Sequence, residues 1–326
     1  MSSSAAPCRG LGWRAAIGGT ALLALIVWVI AYHASLTQAV AQISALPGPS
    51  WSAIFIAVGA VVASYCCSAV ALSAAAGRRL PAGRTMLVQF AAAAANRVTP
   101  GGVGGTAVNA RYLRTQALSP GAVGAALSLS AIAHIGIATI GVLVISPTMT
   151  KLPIGQSLLT ARIHGLPVIV PVLVVLILMV WLLVRAARSR LRDDGRISVT
   201  FHDALSALSS ATHQPKRLAL LLAATAGVKA TNLLALLAAM WAFDGDIADW
   251  RVAVVYLVGV PIAEAIPTPG GIGGVDAVLV AGLARVGTST AGAVIAAVIV
   301  FRLLTFWAPI VPGMMSAGLL RRQHAL

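Results

Sequence analysis

The sequence predicts an all-α polytopic membrane protein in which six full transmembrane helices accompany two re-entrant half-helix hairpins, arranged as an inverted-topology repeat. Three observations predict it. The 326 residues are 59% apolar and 10% charged, with a mean hydropathy of +0.93, whereas a soluble domain carries about 25% charged residues. The apolar stretches come in two lengths, of which only the longer can cross a bilayer. The heptapeptide TPGGVGG at 99–105 returns as TPGGIGG at 268–274, with Val103 exchanged for Ile272. Each copy is set between two of the shorter stretches.

A spanning helix needs ~20 apolar residues to cross a hydrocarbon core of ~30 Å. Six stretches qualify: 15–33, 51–76, 120–146, 165–185, 217–242 and 290–318. Two further regions are broken by the repeated loop. The first runs 85–98, the Gly loop, then 106–117. The second runs 250–266, the Gly loop, then 275–286. Segments of about 12–14 residues rise only ~18–21 Å as helix, so they are expected to dip into the membrane and return. The chain reads as one domain over 1–326, with repeat 1 at 51–146, a basic cytoplasmic linker at 186–216 and repeat 2 at 217–318.

Charge placement orients these elements. There are 23 Lys and Arg against 8 Asp and Glu. The basic residues sit in short loops between apolar runs, which is a positive-inside signal and excludes the basic face of a soluble nucleic-acid-binding domain. Arg9 and Arg14 put the N-terminus inside, and 34–50, which has no Lys or Arg, lies outside. Arg78, Arg79 and Arg84 are inside. Arg111 and Arg114 stay inside only if 85–117 dips in and returns. The loop 147–164 is outside, the segment 185–217 with its seven Lys or Arg is inside, and the loop holding Asp244, Asp246 and Asp249 is outside. Arg321 and Arg322 place the C-terminus inside. The expectation is a multi-pass protein of the plasma membrane with both termini cytoplasmic. The first run is long enough to be a span, and Ala39-Val40-Ala41 lies too far beyond it for a signal-peptide cleavage site.

The topology has a consequence. The first hairpin enters from the cytoplasm and the second from outside, each between two full spans, which is an inverted repeat. GAVGAA at 121–126 resembles GAVIAA at 292–297 and extends the match. In membrane transporters, duplicated helix-breaking loops at corresponding places mark the substrate site.

Pro in the loops removes a backbone donor, and Gly accepts positive φ. The chain therefore breaks and leaves N–H groups unpaired at the start of the next half-helix, where partial positive charge suits a phosphate or carboxylate. Tight GxxxG packing through Gly101/Gly105 and Gly270/Gly274 is the alternative, and the adjoining Pro argues against it. Lys229 lies ~18 Å along its helix from Arg217, beyond easy snorkelling, and Arg302 is similarly deep. A charge at a helix centre costs ~2.5–3.5 kcal/mol on the insertion scale. Glu264 precedes the second loop and Asp276 follows it. Either these carboxylates pair with Lys229 and Arg302 to fix helix register, or a cation faces a polar cavity and meets an anionic headgroup. A proton-coupled carboxylate pair is a third option. The first loop has Asn96, Arg97, Asn109, Arg111 and Arg114 around it and no carboxylate. His134 is expected to be a hydrogen-bonded packing residue, Asn232 a neighbour of Lys229, and Trp241 and Trp307 interface residues.

Cys8, Cys66 and Cys67 form no CxxC or Cys/His cluster, so neither a metal site nor a cofactor is expected. Walker, GxSxG and HExxH motifs are missing from the sequence, which argues against the enzyme classes they serve.

IPTPGGIGGVDAVLVAGLARVG followed by VFRLLTFWAPIVPG resembles the C-terminal signature of the lysylphosphatidylglycerol synthase transmembrane-domain family, also called the flippase-like domain family. Asp276 stands where Glu is more usual, and Arg302 falls on the family's Arg within the run 301–307. RVTPGGVGGTAVNARYLRTQAL is similar to the family's first loop. Gly105 and Thr106 stand in place of its Glu, Arg111 keeps its Arg, and Ala133-His134 replaces a Glu-Arg pair in the following span. The resemblance covers 15–320 and is to stand-alone members without the aminoacyl-transfer domain. It implies a lipid-handling membrane protein.

The expectation is then translocation of an anionic phospholipid or lipid-linked envelope precursor between leaflets of a bacterial membrane. The expected substrate-binding residues are Lys229, Glu264, Pro269, Gly270, Gly271, Gly273, Gly274, Asp276 and Arg302, with Pro100, Gly101, Gly102 and Arg111 from the first half. No catalytic residue is expected, and an intramembrane lipid-modifying enzyme ranks last. The remaining alternative is a non-transporting scaffold or accessory subunit of an envelope lipid or glycan synthesis enzyme, docking through 186–216. The expected partners are thus an anionic membrane lipid and an envelope-synthesis protein, with no nucleic acid.

Overall fold

Length, composition and the Gly loops divide the chain into long and short helices. The computed structural model describes residues 48–99, 103–149, 214–243, 248–264, 273–287 and 289–322, with Leu46 and the strand residues 162–163 and 166–167. The expected span 15–33, nearly all of 165–185, the linker up to 213 and the loop residues 100–102 and 265–272 lie outside the described residues.

In chain order, α1 is Trp51–Ala76, α2 Ala82–Val98, α3 Val103–Thr115, α4 Pro120–Met149 and α5 Pro215–Trp241. Helix α6 covers 249–264 as Asp249–Val254, a π turn at Val255–Gly259 and Val260–Glu264. Helix α7 is Gly274–Val286. Helix α8 covers 291–322 as Ala291–Arg302, a π turn at Leu303–Trp307 and Ile310–Arg322. The architecture is helical, apart from one two-residue antiparallel pair, Arg162–Ile163 (β1) with Leu166–Pro167 (β2). That pair reaches into the start of the expected span 165–185.

Among the described residues four helices are long and apolar enough to cross a membrane: Trp51–Ala76, Pro120–Ile145, Pro215–Trp241 and Ala291–Leu320. They coincide with four of the six expected spans. Helix α8 is the most enclosed of the four and α4 the least. The helices beside the Gly loops are shorter. Helix α2 has 17 residues, about 26 Å of rise, and α3 and α7 have 13 each, about 20 Å. Helix α2 starts three residues before the sequence expectation, at Ala82, with Pro81 as its N-cap. The fixed φ of Pro suits a helix start.

Helices α1 and α5 lie antiparallel with their ends flush. At one end Ser50 N–H donates to the Ala242 carbonyl at 2.9 Å. At the other, Arg217 donates from Nε to the Ala74 carbonyl and from Nη2 to the Ala75 carbonyl, both at 2.6 Å. Those carbonyls belong to the last turn of α1, where the helical ladder runs out; Gly77 N–H also bonds the Ala74 carbonyl, at 3.1 Å. Arg217, read in sequence as a topology charge, therefore also caps a helix. Midway, Cys67 rests on Gly227, where a Cβ would come within 2.9 Å of its Sγ.

The two short pairs, α2–α3 and α6–α7, are each antiparallel, and each packs across onto the span that follows the other. Gly313 of α8 lies so close to α2 that a Cβ would be 2.5 Å from the Phe90 carbonyl oxygen. Gly141 of α4 lies against Leu257 of α6, at 3.4 Å by the same measure. Two apolar cores follow. Leu72, Val88, Tyr112, Leu113, Leu221 and Leu320 surround the first pair. Leu236, Val252, Leu279, Leu283, Val294 and Phe301 surround the second. In lipid there is no hydrophobic drive between helices, so this close packing through small residues is the main cohesive term.

Candidate functional site

The site is built around residues 302–306 of α8. Gly273, directly before α7, has φ +82°, a left-handed conformation that favours glycine. The turn lets the Asp276 carboxylate reach back, and its Oδ2 accepts from Gly273 N–H at 2.9 Å. The same carboxylate pairs with Arg302, with Oδ1 2.6 Å from Nε and Oδ2 3.5 Å from Nη2. The Arg302 side chain is only 14% exposed. A two-point carboxylate–guanidinium contact fixes orientation as well as charge. One helical turn further on, the Phe306 ring lies 4.8 Å from the Arg302 guanidinium.

A second guanidinium meets the same ring. Arg97, at the end of α2 and just before the first Gly loop, lies 5.0 Å from the Phe306 ring centre. It donates from Nη1 to the Ala93 carbonyl at 3.1 Å, from Nε to the Phe306 carbonyl at 3.3 Å, and from Nη2 to the Thr305 carbonyl. The local sequence explains why one of these acceptors, the Thr305 carbonyl, is open. Pro309 has no N–H for the Thr305 carbonyl four residues earlier. The chain accommodates Pro309 with a π turn, in which Ala308 N–H bonds to the Leu303 carbonyl at 2.7 Å. Such turns recur at functional positions.

Other charged residues lie within electrostatic reach of this stretch. His134 on α4 donates from Nδ1 to the Ser130 carbonyl at 2.9 Å, as a packing histidine would. It feels the charges of Lys229 on α5 and Glu264 at the end of α6. Arg97 feels those of Arg302 and Glu264. Among the described residues Lys229 and Glu264 have no hydrogen-bond or ion-pair partner. The polar neighbours of Lys229 bond to their own helix: Thr231 donates to Gly227 and Asn232 Nδ2 to Val228, at 2.7 and 2.8 Å. Asn232 thus does not partner Lys229.

The sequence-predicted residues divide accordingly. Arg302, Asp276 and Gly273 are in direct contact, and Gly274 starts α7. Lys229 and Glu264 belong to the same charge cluster. Arg111 is exposed on α3, about 12 Å of helix rise from Val103, and no contact joins it to the cluster. Pro100, Gly101, Gly102, Pro269, Gly270 and Gly271 lie outside the described residues. Trp241, whose Nε1 donates to Asp249 at 3.2 Å, sits at a span end as expected. Trp307 does not: α8 continues to Arg322, so Trp307 is mid-helix, 55% exposed on the π turn. Sequence reasoning noted Arg97 only as a flanking residue and missed Phe306. Two signals were available, a guanidinium one turn before a membrane-embedded Gly loop and an aromatic at i+4 from Arg302. Among the described residues no three His, Cys, Asp or Glu side chains form a metal-binding group.

Membrane-length helices, paired short helices and a group of charged side chains on them define a multi-pass helical membrane protein with ionic residues on its apolar helices. The chain belongs to the family described as lysylphosphatidylglycerol synthase TM region, which matches residues 16–313. It is thus a multi-pass member of a membrane-lipid-handling family, matched over that family's transmembrane part. No curated protein matches the chain.

Proposed function

We propose that the protein translocates an anionic phospholipid or lipid-linked envelope precursor between the leaflets of the plasma membrane. The observation that carries this reading is convergence. Residues flanking both Gly loops, Arg97 and Asp276, meet on one stretch of α8, while Lys229 and Glu264 stand unpaired nearby among the described residues. Arg302 is neutralised by Asp276, and the donors of Arg97 are engaged by three carbonyls. Lys229 is therefore the ammonium best able to receive a phosphate. Its burial costs ~2.5–3.5 kcal/mol unless an anion meets it. Glu264 balances the cluster or contacts a cationic part of the headgroup.

The wider assignment follows from this centre. Backbone donors at Gly101 and Gly102 with the Arg111 side chain on one side, and at Gly270, Gly271 and Gly274 on the other, complete a headgroup path in loops shaped by Pro100, Pro269 and the left-handed Gly273. The reciprocal packing of each hairpin on the opposite span supports a single domain with repeats 51–146 and 217–318 in inverted topology. That arrangement has six spans, two re-entrant hairpins and cytoplasmic termini. Rocking of one repeat against the other gives alternating access. With no nucleotide-binding motif, movement is passive or ion-coupled.

The test is a flip assay in proteoliposomes carrying fluorescent phosphatidylglycerol or phosphatidylcholine. Wild type is expected to equilibrate the anionic probe faster, and Lys229→Ala to lower that rate about tenfold. Wild-type rates in both Lys229→Ala and Arg302→Ala would overturn the site, and no flipping of any probe by wild type would overturn the function.

A further inference from the structure

Arg97 has no counterpart in the second half. Counted from the two TPGG threonines, its place is taken by Ile266. Its contacts are also out of proportion to a topology signal. One side chain bonds its own helix at Ala93, two carbonyls of α8 at Thr305 and Phe306, and the face of Phe306. The opposite side of the same short stretch holds the Arg302–Asp276 pair. The loop end of α2 is closed by further side-chain bonds. Thr99 Oγ1 accepts from Gly104 N–H at 2.8 Å, and Asn96 Oδ1 accepts from Gly105 N–H. From Arg97 outward, the loop end of α2 is therefore tied to α3 by two bonds and to α8 by two more.

We infer that Arg97 is a positioning residue that staples the loop end of α2 to the Thr305 and Phe306 carbonyls of α8, so that this helix end and the Arg302–Asp276 pair move as one unit. Its guanidinium fills acceptors of the protein and is not a headgroup ligand. A guanidinium is required because two carbonyls at successive residues and an aromatic face must be met by one planar group, which a single ammonium cannot do. The consequence is mechanical coupling: the end of α2 and the start of α3 cannot shift without residues 302–306. The inference deepens the transport reading and rests on it for its functional arm only.

Two measurements test it. The first is hydrogen exchange on the purified full chain in detergent, with no lipid probe added. Arg97→Gln is expected to speed exchange about tenfold in peptides covering both 97–106 and 303–309. Peptides covering 273–286 should stay as in wild type, and Lys229→Ala should leave all three regions unchanged. Exchange unaltered by Arg97→Gln would overturn the staple. The second is the proteoliposome assay. Arg97→Gln is expected to lower the maximal flipping rate about tenfold while keeping the preference for the anionic over the zwitterionic probe, with Arg97→Lys recovering little of it. A lost headgroup preference, or full rescue by Arg97→Lys, would make Arg97 a ligand and overturn the inference. If wild type flips neither probe, the transport reading fails while the exchange experiment still decides the staple.

Discussion

The two hairpins share a loop sequence, yet they are held together by different chemistry. In α2–α3 the seam is polar: Thr85 bonds Tyr112 at 3.0 Å, Gln89 bonds Asn109 at 3.3 Å, and Asn96 and Thr99 close the loop end. In α6–α7 the seam is close packing. A Cβ on Gly259 would lie 2.5 Å from Val278 Cγ1, and one on Gly282 would lie 2.6 Å from Val255 Cγ1. Among the described residues Arg251, donating to the Val286 carbonyl at 2.7 Å, adds a polar bond at the far end. The ionic residues follow the same division. Counted from the TPGG threonines, Asp276 and Glu264 correspond to Ala107 and Ala95, and counted from the GAV glycines, Arg302 corresponds to Ala131. The recurring loop sequence is thus flanked by different residues: Asp276, Glu264 and Arg302 stand where the first half has alanine. The first hairpin contributes hydrogen-bonded stiffness and the second contributes the ion pair.

The strongest way to break this comparison is to remove the ion pair. Arg302→Ala leaves Asp276, 38% exposed, without its guanidinium, a loss expected to cost about 1–3 kcal/mol, below that of a fully buried pair. Flipping should fall about a hundredfold, with a clear drop in thermal stability by fluorescence-detected melting. The exchange Arg302→Asp with Asp276→Arg should recover part of the stability. Equal activity of Arg302→Ala and wild type would sink the pair's role.

Lys229→Met separates function from stability. Removing a membrane charge that has no partner among the described residues should leave the stability unchanged or raise it, by up to ~2.5–3.5 kcal/mol on the insertion scale, read as an equal or higher melting temperature. The preference for the anionic lipid should nonetheless disappear. A strongly destabilised Lys229→Met would mean that the lysine has a structural partner.

The apolar seam is tested by Gly282→Ala and Gly259→Ala, each forcing a Val to move at a cost of about 1–3 kcal/mol. Combining Gly282→Ala with Val255→Ala should restore most of the loss, read by melting of the double variant. The polar seam gives the smallest effect. Thr85→Val should cost about 1 kcal/mol by leaving Tyr112 unpaired, whereas adding Tyr112→Phe should bring the protein back near wild type, because an apolar pair leaves nothing unsatisfied. If the double variant were no better than Thr85→Val, the seam would depend on more than this bond.

Much of this was legible in the chain. The spans at 51–76, 120–145, 215–241 and 291–320 are close to the apolar runs because, without water, only continuous helix satisfies the backbone. The short helices were legible because Pro and Gly interrupt the hydrogen-bond ladder wherever they stand. The left-handed Gly273 was legible for the same local reason. Helix ends were less so: α8 runs past residue 318 to Arg322, since nothing local stops it there. The π turns at Val255–Gly259 and Leu303–Trp307 each precede a proline, a signal available in sequence but not specific to π geometry.

Pairing was a different matter. The sequence named Lys229, Glu264, Asp276 and Arg302 as costly charges and left their partners open. Helical periodicity says how deep a residue lies and on which side of its own helix, but not which neighbouring helix faces it. Composition, loop chemistry and charge placement are local properties, so the chain alone determined a multi-pass helical membrane protein with short helices beside two Gly loops, and with Lys229, Glu264, Asp276 and Arg302 all in its second half. Which carboxylate meets Arg302, that Arg97 reaches across some two hundred residues to α8, and that Lys229 stands apart were decided only by tertiary packing. Ion pairs and staples form between surfaces that the fold brings together, and their geometry is not written in either segment alone.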